Sequence, residues 1–151
     1  MVMIILTVAA VVAAEIFIKK KLPKDAGAAP AALLGGRVEI KVCKNYGLVL
    51  GVLREHTAVV KALHASAVAL CAALLLTCKR TSALWKLGVG LILGGGLSNL
   101  LDRLINGCVT DYIRFCKAKL RKLRRTVFNA ADLCIFLGLI LAVIAVLRKE
   151  R

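Results

Sequence analysis

Carboxylates are scarce in this chain: 8 Asp and Glu stand against 23 Lys and Arg among 151 residues, a net charge of +15. Histidine occurs twice, and the six cysteines, at positions 43, 71, 78, 108, 116 and 134, contain no C-x-x-C pair. A metal site built on paired cysteines and histidines is thereby excluded, and neither a metal nor a cofactor is expected. The chain lacks a Ser/Pro-rich low-complexity tail and any repeat of solenoid period, which removes linker-rich and repeat architectures. No positive cluster precedes the first apolar run, although AVVAAE resembles a small-residue cleavage site; Lys19 to Lys21 follow the run instead. That order of charges suits a retained span better than a cleaved signal peptide.

What is present is apolar. Hydrophobic residues make up 60% of the chain and the mean hydropathy is +0.84, too high for an ordinary soluble domain. Apolar runs divided by short basic clusters describe a polytopic membrane protein. Four runs qualify as spans: about 1–18, interrupted by Glu15; 58–78, with Lys61 and His64 in its first turns; 83–101, with Lys86 near its start; and 130–147, with Asp132 at its start. Eighteen helical residues reach roughly 27 Å, close to a ~30 Å hydrocarbon core. Helices are the only spans that satisfy their own backbone in lipid here, so an all-α integral membrane protein of one domain, 1–151, is expected. Cys71, Cys78 and Cys134 read as small apolar side chains within helices. Cys43, Cys108 and Cys116 fall between spans, where a disulfide is an open alternative.

Four spans put both termini and the 79–86 connection on one side. That side holds Lys79, Arg80, Lys86, Arg148, Lys149 and Arg151, six of the 23 basic residues, and leaves seventeen for the other. The positive-inside rule would place segments 19–57 and 102–129 in the cytoplasm.

The polar residues gather at one end of these spans. Asn99, Asp102 and Arg103 share a face at the exit of the third, by i, i+3, i+4 spacing. Asn129 and Asp132 share one at the entry of the fourth. Glu15 and Lys19, four apart, end the first span on the same side, and Asn45 follows in the next connection. Several have plain structural readings. Asp102 beside Arg103 reads as an ion-pair element at a helix end, Glu15 with Lys19 as a helical salt bridge or a snorkelling lysine, and Asn129 as an N-cap. Asp111 and Asp132 resist that treatment, because neither has a basic neighbour at helical spacing. A carboxylate beside the hydrocarbon region is costly and marks a functional site by default; two of them point to acid–base chemistry at the membrane surface.

Glycines surround this end. Gly90 and Gly94, four apart, permit close helix packing, and the run Gly94–Gly95–Gly96 costs about 1 kcal/mol per residue in helix propensity. Such a cost is intelligible where another backbone or a substrate approaches. Gly47 and Gly51 read as turn glycines. The basic segment RFCKAKLRKLRR (114–125), with Phe115, Leu120 and Leu123 interleaved, reads either as an amphipathic stretch on anionic lipid or as a solvated loop. Its place between two spans excludes nucleic-acid binding.

The strings EIFIK (15–19), NYGLVL (45–50), SNLLDR (98–103), GCVTDY (107–112) and FNAAD (128–132) resemble, in order and spacing, the motifs of lipoprotein signal peptidase (signal peptidase II). That family pattern runs D-x-x-x-K, N-x-G-A-A-F, G-N-x-x-D-R, G-x-V-x-D-F and F-N-x-A-D. The resemblance implies four transmembrane helices with a short extracytoplasmic loop or β segment between the first two. By position it puts the catalytic aspartates on Asp111 and Asp132. Asn45, Asn99, Arg103 and Asn129 match substrate-side polar groups, and Asp102, Glu15 and Lys19 match supporting ones. It implies removal of signal peptides from bacterial prolipoproteins before a diacylglyceryl-modified cysteine, by a monomer in the cytoplasmic membrane among phospholipids. Its site would face outward, against the charge bias. Asp111 follows a turn at Gly107 and can fold back toward Asp132. Departures are Glu15 for aspartate, Ser98 for glycine, and Leu48, Val49 and Leu50 for A-A-F. Two rivals remain: a non-cleaving lipopeptide-binding relative, and a small ion-coupled transporter. The transporter predicts polar groups at the midplane rather than at one end.

Overall fold

The protein is described by a computed structural model over residues 1–23, 29–48, 52–77 and 82–148. Val49, Leu50, Gly51, Cys78, Lys79, Arg80, Lys149 and Arg151, all singled out above, lie outside the described residues. Among the described residues four helices are long and apolar enough to cross a membrane: α1 (Val2–Lys21), α2 (Thr57–Thr77), α3 (Ala83–Asn106) and α5 (Ala130–Leu147). These match the four expected runs to within a few residues except at the end of the third. There α3 continues past residue 101 through Asp102 and Arg103 until Gly107, at φ +74°, caps it in the left-handed region. Glycine adopts that conformation without steric cost. The chain then reverses into the segment that carries Asp111.

The all-α expectation needs correction. Strands β1 (Ala31–Leu33) and β2 (Val38–Asn45) occupy the first connection, where a β segment was anticipated. Two more, β3 (Val109–Phe115) and β4 (Val127–Phe128), lie in the third, with the short helix α4 (Arg121–Arg125) between them. All four join one antiparallel sheet in the order β1-β2-β3-β4. β3 escaped notice because its alternation is short and ends in a basic run, so it reads as a loop. Its register against β2 pairs Ile40 with Ile113 and Cys43 with Asp111, so β2 spends one extra residue. An irregularity of this kind re-aims the strand beside it. Asn45, two residues beyond Cys43, thereby stands diagonally opposite Asp111 on the same face.

Helix α3 is the centre of the bundle: it packs most extensively on α5, then α1, then α2. Its glycines explain this, since each opens a different side. A Cβ on Gly95 would lie 2.5 Å from the Ala131 carbonyl oxygen, and one on Gly88 would lie 2.8 Å from the Ala142 nitrogen, both on α5. Gly90 and Gly94, the stripe seen in the sequence, instead meet Thr7 and Val11 of α1, while Gly96 faces Val68 of α2. In lipid, where burial supplies little force between helices, such close backbone packing holds a bundle together. The outer faces remain apolar and exposed, among them Ile5, Leu6, Phe17, Phe136 and Leu139.

Gly95→Ala should therefore destabilise the protein by about 1–2 kcal/mol, overpacking exceeding the ~1 kcal/mol gained in helix propensity. Gly96→Ala, which meets only a flexible valine methyl 3.1 Å away, should be near neutral. Thermal unfolding of the two variants in detergent checks the difference.

Candidate functional site

Asn129 is fully buried, and the site is built around it. As N-cap of α5 its side-chain oxygen accepts from the Asp132 backbone N–H at 2.8 Å, while its own N–H donates to Asp132 Oδ2 at 3.1 Å. This reciprocal capping box satisfies two helix-end donors and sets the Asp132 carboxylate at the positive end of the helix. The Asn129 side-chain amide then donates to Asp111 Oδ1 at 2.8 Å and to Asn99 Oδ1 at 3.0 Å. Asn99, one helix away, donates to Asp132 Oδ1 at 2.8 Å, and Asn45 donates to Asp111 Oδ2 at 2.9 Å. Each of the four carboxylate oxygens thus accepts one N–H, which leaves lone pairs for a water or a substrate group. Burial, and next to it the Asp132 carboxylate, push the Asp111 carboxyl up to about 6, against the pull of the Asn45 and Asn129 hydrogen bonds.

Arg103 stands behind Asn45. It donates to the Gly47 carbonyl at 2.6 Å and the Asn45 carbonyl at 3.4 Å, fixing the end of β2. Its expected pairing with Asp102 is absent, since adjacent helical residues point about 100° apart. Asp102 turns instead to Lys19 Nζ, 3.0 Å away, and accepts from the Thr110 N–H at 3.1 Å. Lys19 does not snorkel. It sits 2.6 Å from Glu15 Oε2 and bridges that carboxylate to Asp102, nearly buried.

Glu15 is more deeply placed than a surface salt bridge requires, at 1% exposure. Its Oε1 accepts from the Ala131 N–H at 2.7 Å and from the Tyr112 hydroxyl at 3.0 Å. The same hydroxyl accepts from the Ala130 N–H at 3.1 Å, and burial raises the Tyr112 phenol above its ordinary range. Tyr112 is the residue the sequence reading missed. Its signal was the hydroxyl at a position where the resembled pattern has phenylalanine. The nine singled-out side chains fall into two adjacent sets, Asn45, Asn99, Arg103, Asp111, Asn129 and Asp132 in one and Glu15, Lys19 and Asp102 in the other, which meet through Tyr112 and the backbone of Thr110, Ala130 and Ala131. Cys43, Cys71, Cys108, Cys116 and Cys134 are free thiols. Among the described residues no group of three His, Cys, Asp or Glu side chains is arranged to hold a metal ion.

Four membrane-length helices carry a small sheet at one end, where Asp111 is buried and Asp132 half-buried. Two solved bacterial membrane enzyme structures share this fold: one at TM-score 0.81 and 21% identity, covering 98% of this chain and 92% of that one; the other at TM-score 0.79 and 21% identity, covering 97% and 94%. The family model described as Signal peptidase (SPase) II matches residues 2–148, so the chain belongs to the signal peptidase II family. A lipoprotein signal peptidase of Solibacter usitatus (strain Ellin6076) is 32% identical over 124 residues, 79% of this chain and 74% of that protein. One from Shewanella sp. (strain MR-4) is 42% identical over 67 residues, 43% of this chain and 38% of that protein. The stretch matched thus spans well under half of the Shewanella relative's length. Four membrane-length helices and bacterial relatives make this a bacterial membrane protein.

Glu15→Ala should destabilise the protein by about 3–5 kcal/mol, because it strips the buried Tyr112 hydroxyl and Ala131 N–H of their acceptor and leaves Lys19 with Asp102 alone. Glu15→Gln, which keeps an acceptor for Tyr112 and Ala131, should cost clearly less. Unfolding midpoints of the two variants measure the gap.

Proposed function

We propose that the chain, acting as one membrane-embedded domain, is an aspartic endopeptidase that removes signal peptides from prolipoproteins before a diacylglyceryl-modified cysteine. The observation that carries this reading is Asn129 donating to both Asp111 and Asp132 from one buried position. Two carboxylates this close, drawn out of water, do not both ionise readily, so the pair holds one proton between them. The ionised member takes a proton from water, whose oxygen attacks the scissile carbonyl carbon. The protonated member donates to the carbonyl oxygen. Collapse of the tetrahedral intermediate returns the oxygen-bound proton to the pair as the carbonyl re-forms and the C–N bond breaks, and the leaving nitrogen takes up the proton that came from water. Asn99 and Asn129 hold the carboxylates in place. Asn45 and Arg103 hold the strand end against which a peptide would lie.

Family membership supports a prolipoprotein substrate, and the exposed apolar helix faces suit delivery of a lipidated peptide through the bilayer. Cleavage of a translocated substrate requires the site to face outward from the cytoplasmic membrane. An ion-coupled transporter is disfavoured, because the hydrogen-bonded polar groups gather at one end of the spans instead of lining a route across them.

Asp111→Asn and Asp132→Asn should each lower cleavage of a purified diacylglyceryl-modified prolipoprotein by about 10²–10⁴-fold; wild-type rates from either variant would end the dyad assignment. A second signature is thermodynamic. Because the Asp111 carboxyl is raised to about 6 from the ordinary 3.8, the folded state binds the proton more tightly than the unfolded one. Its contribution to stability is full below about pH 4 and is lost as the pH rises through about 6. Unfolding followed from pH 4 to 7 should show that decline in the wild type and a flatter profile in Asp111→Asn.

A further inference from the structure

A second concentration of charge lies away from the carboxylate pair, at the β3–β4 connection. Arg114 on β3 and Arg121, Arg124 and Arg125 on α4 line an open cleft of about 360 Å³ with Glu39 and Cys116. Four guanidinium groups around one concavity repel one another, and the single carboxylate there, Glu39, is already bound to Arg114. The Arg114 Nε is buried and has no hydrogen-bond partner. The three arginines of α4 are exposed, as are Lys117, Lys119 and Lys122 around them. Glu39 is thus engaged by Arg114, and the lining offers the guanidinium groups of Arg121, Arg124 and Arg125 no second carboxylate. Phosphate oxygens match such forked donors best.

Where the cleft sits selects the source of the phosphate. Arg125 is four residues from Asn129, where the span α5 begins, so an extended connection keeps α4 within about 14 Å of the hydrocarbon edge. Headgroups fill the first several ångströms beyond that edge. On α4 and at its start, Leu123 and Leu120 are 40% and 67% exposed, apolar side chains interleaved with the arginines as in a segment lying on a bilayer. We propose that this cleft binds the phosphate headgroup of an anionic phospholipid in the surrounding leaflet. Arg114 lies three residues along β3 from Asp111, so the bound lipid also pins to the membrane surface the strand that carries one of the two carboxylates. Zwitterionic lipid presents the same phosphate but adds an ammonium group that the arginines repel.

The test uses the purified full chain in neutral detergent and monomeric short-chain phosphatidylglycerol, with short-chain phosphatidylcholine and sn-glycerol 3-phosphate as the comparison arms. Phosphatidylglycerol should bind at least about tenfold more tightly than either. The triple variant Arg121→Gln, Arg124→Gln, Arg125→Gln should lose on the order of tenfold or more in that affinity. A charge-matched control, Lys20→Gln, Lys21→Gln, Arg54→Gln, should lose less than about twofold, all three being exposed elsewhere. Equal binding of phosphatidylcholine, equal binding of glycerol phosphate, or equal losses in the two triple variants would each overturn the proposal. The readout is lipid affinity alone, so it stands or falls separately from peptide cleavage.

Discussion

The structure depends on keeping two carboxylates together where water is largely excluded. An unpaired buried carboxylate costs several kcal/mol, and two in proximity cost more. Asn129 offsets this by supplying a backbone N–H to one and a side-chain amide to the other, and it can do so only as the N-cap of α5. The capping box therefore joins helix nucleation to the carboxylate pair: the geometry that starts the last span also orients Asp132. Asn99 and Asn45 complete the set from α3 and β2. Neutral amides suit this task, since they hold a carboxylate without neutralising it as a lysine or arginine would.

The cations are kept one step back. Lys19 faces Glu15 and Asp102 instead of the pair, and Arg103 is spent on the carbonyls of Asn45 and Gly47. Glu15 in turn reaches across to the first turn of α5 and to Tyr112, the neighbour of Asp111. Its extra methylene relative to the aspartate of the resembled pattern is used in that reach. A line of contacts thus runs from α1 through Glu15 to β3 and α5, and from Lys19 through Asp102 to the Thr110 backbone. The carboxylates at 111 and 132 are held by elements that are themselves cross-braced, which is how a site on a strand and a helix end attains fixed geometry.

The spans were legible because hydropathy and length decide them, and the small residues on α3 signalled close approach by another backbone or a substrate. The gathering of polar groups at one end followed from antiparallel spans alone. Two things were not legible. The strand β3 is short and ends in arginines, so its pairing with β2 depends on residues some 70 positions away that no local pattern reveals. The partners of Asp102 and Arg103 depend on where α3 stops, and its continuation to Asn106 turned both away from the pairing that adjacency suggested. Tyr112 was overlooked for the same reason: an aromatic beside an aspartate reads as packing until its hydroxyl is seen between Glu15 and Ala130.

The excess of positive charge on the carboxylate side takes on a different meaning once its contacts are known. The positive-inside bias acts through basic residues free to remain on one side of the membrane during insertion. Here Lys19, Arg103 and Arg114 are committed to carboxylates or carbonyls inside the fold, and Lys44 donates to Thr110. The arginines of α4 line a concave surface whose one carboxylate, Glu39, is bound to Arg114. Charge placed for structure is a weak guide to orientation, because its position is dictated by what it binds. A site that faces outward and a basic segment beside it are then compatible, provided the adjoining leaflet supplies the anions that the protein does not.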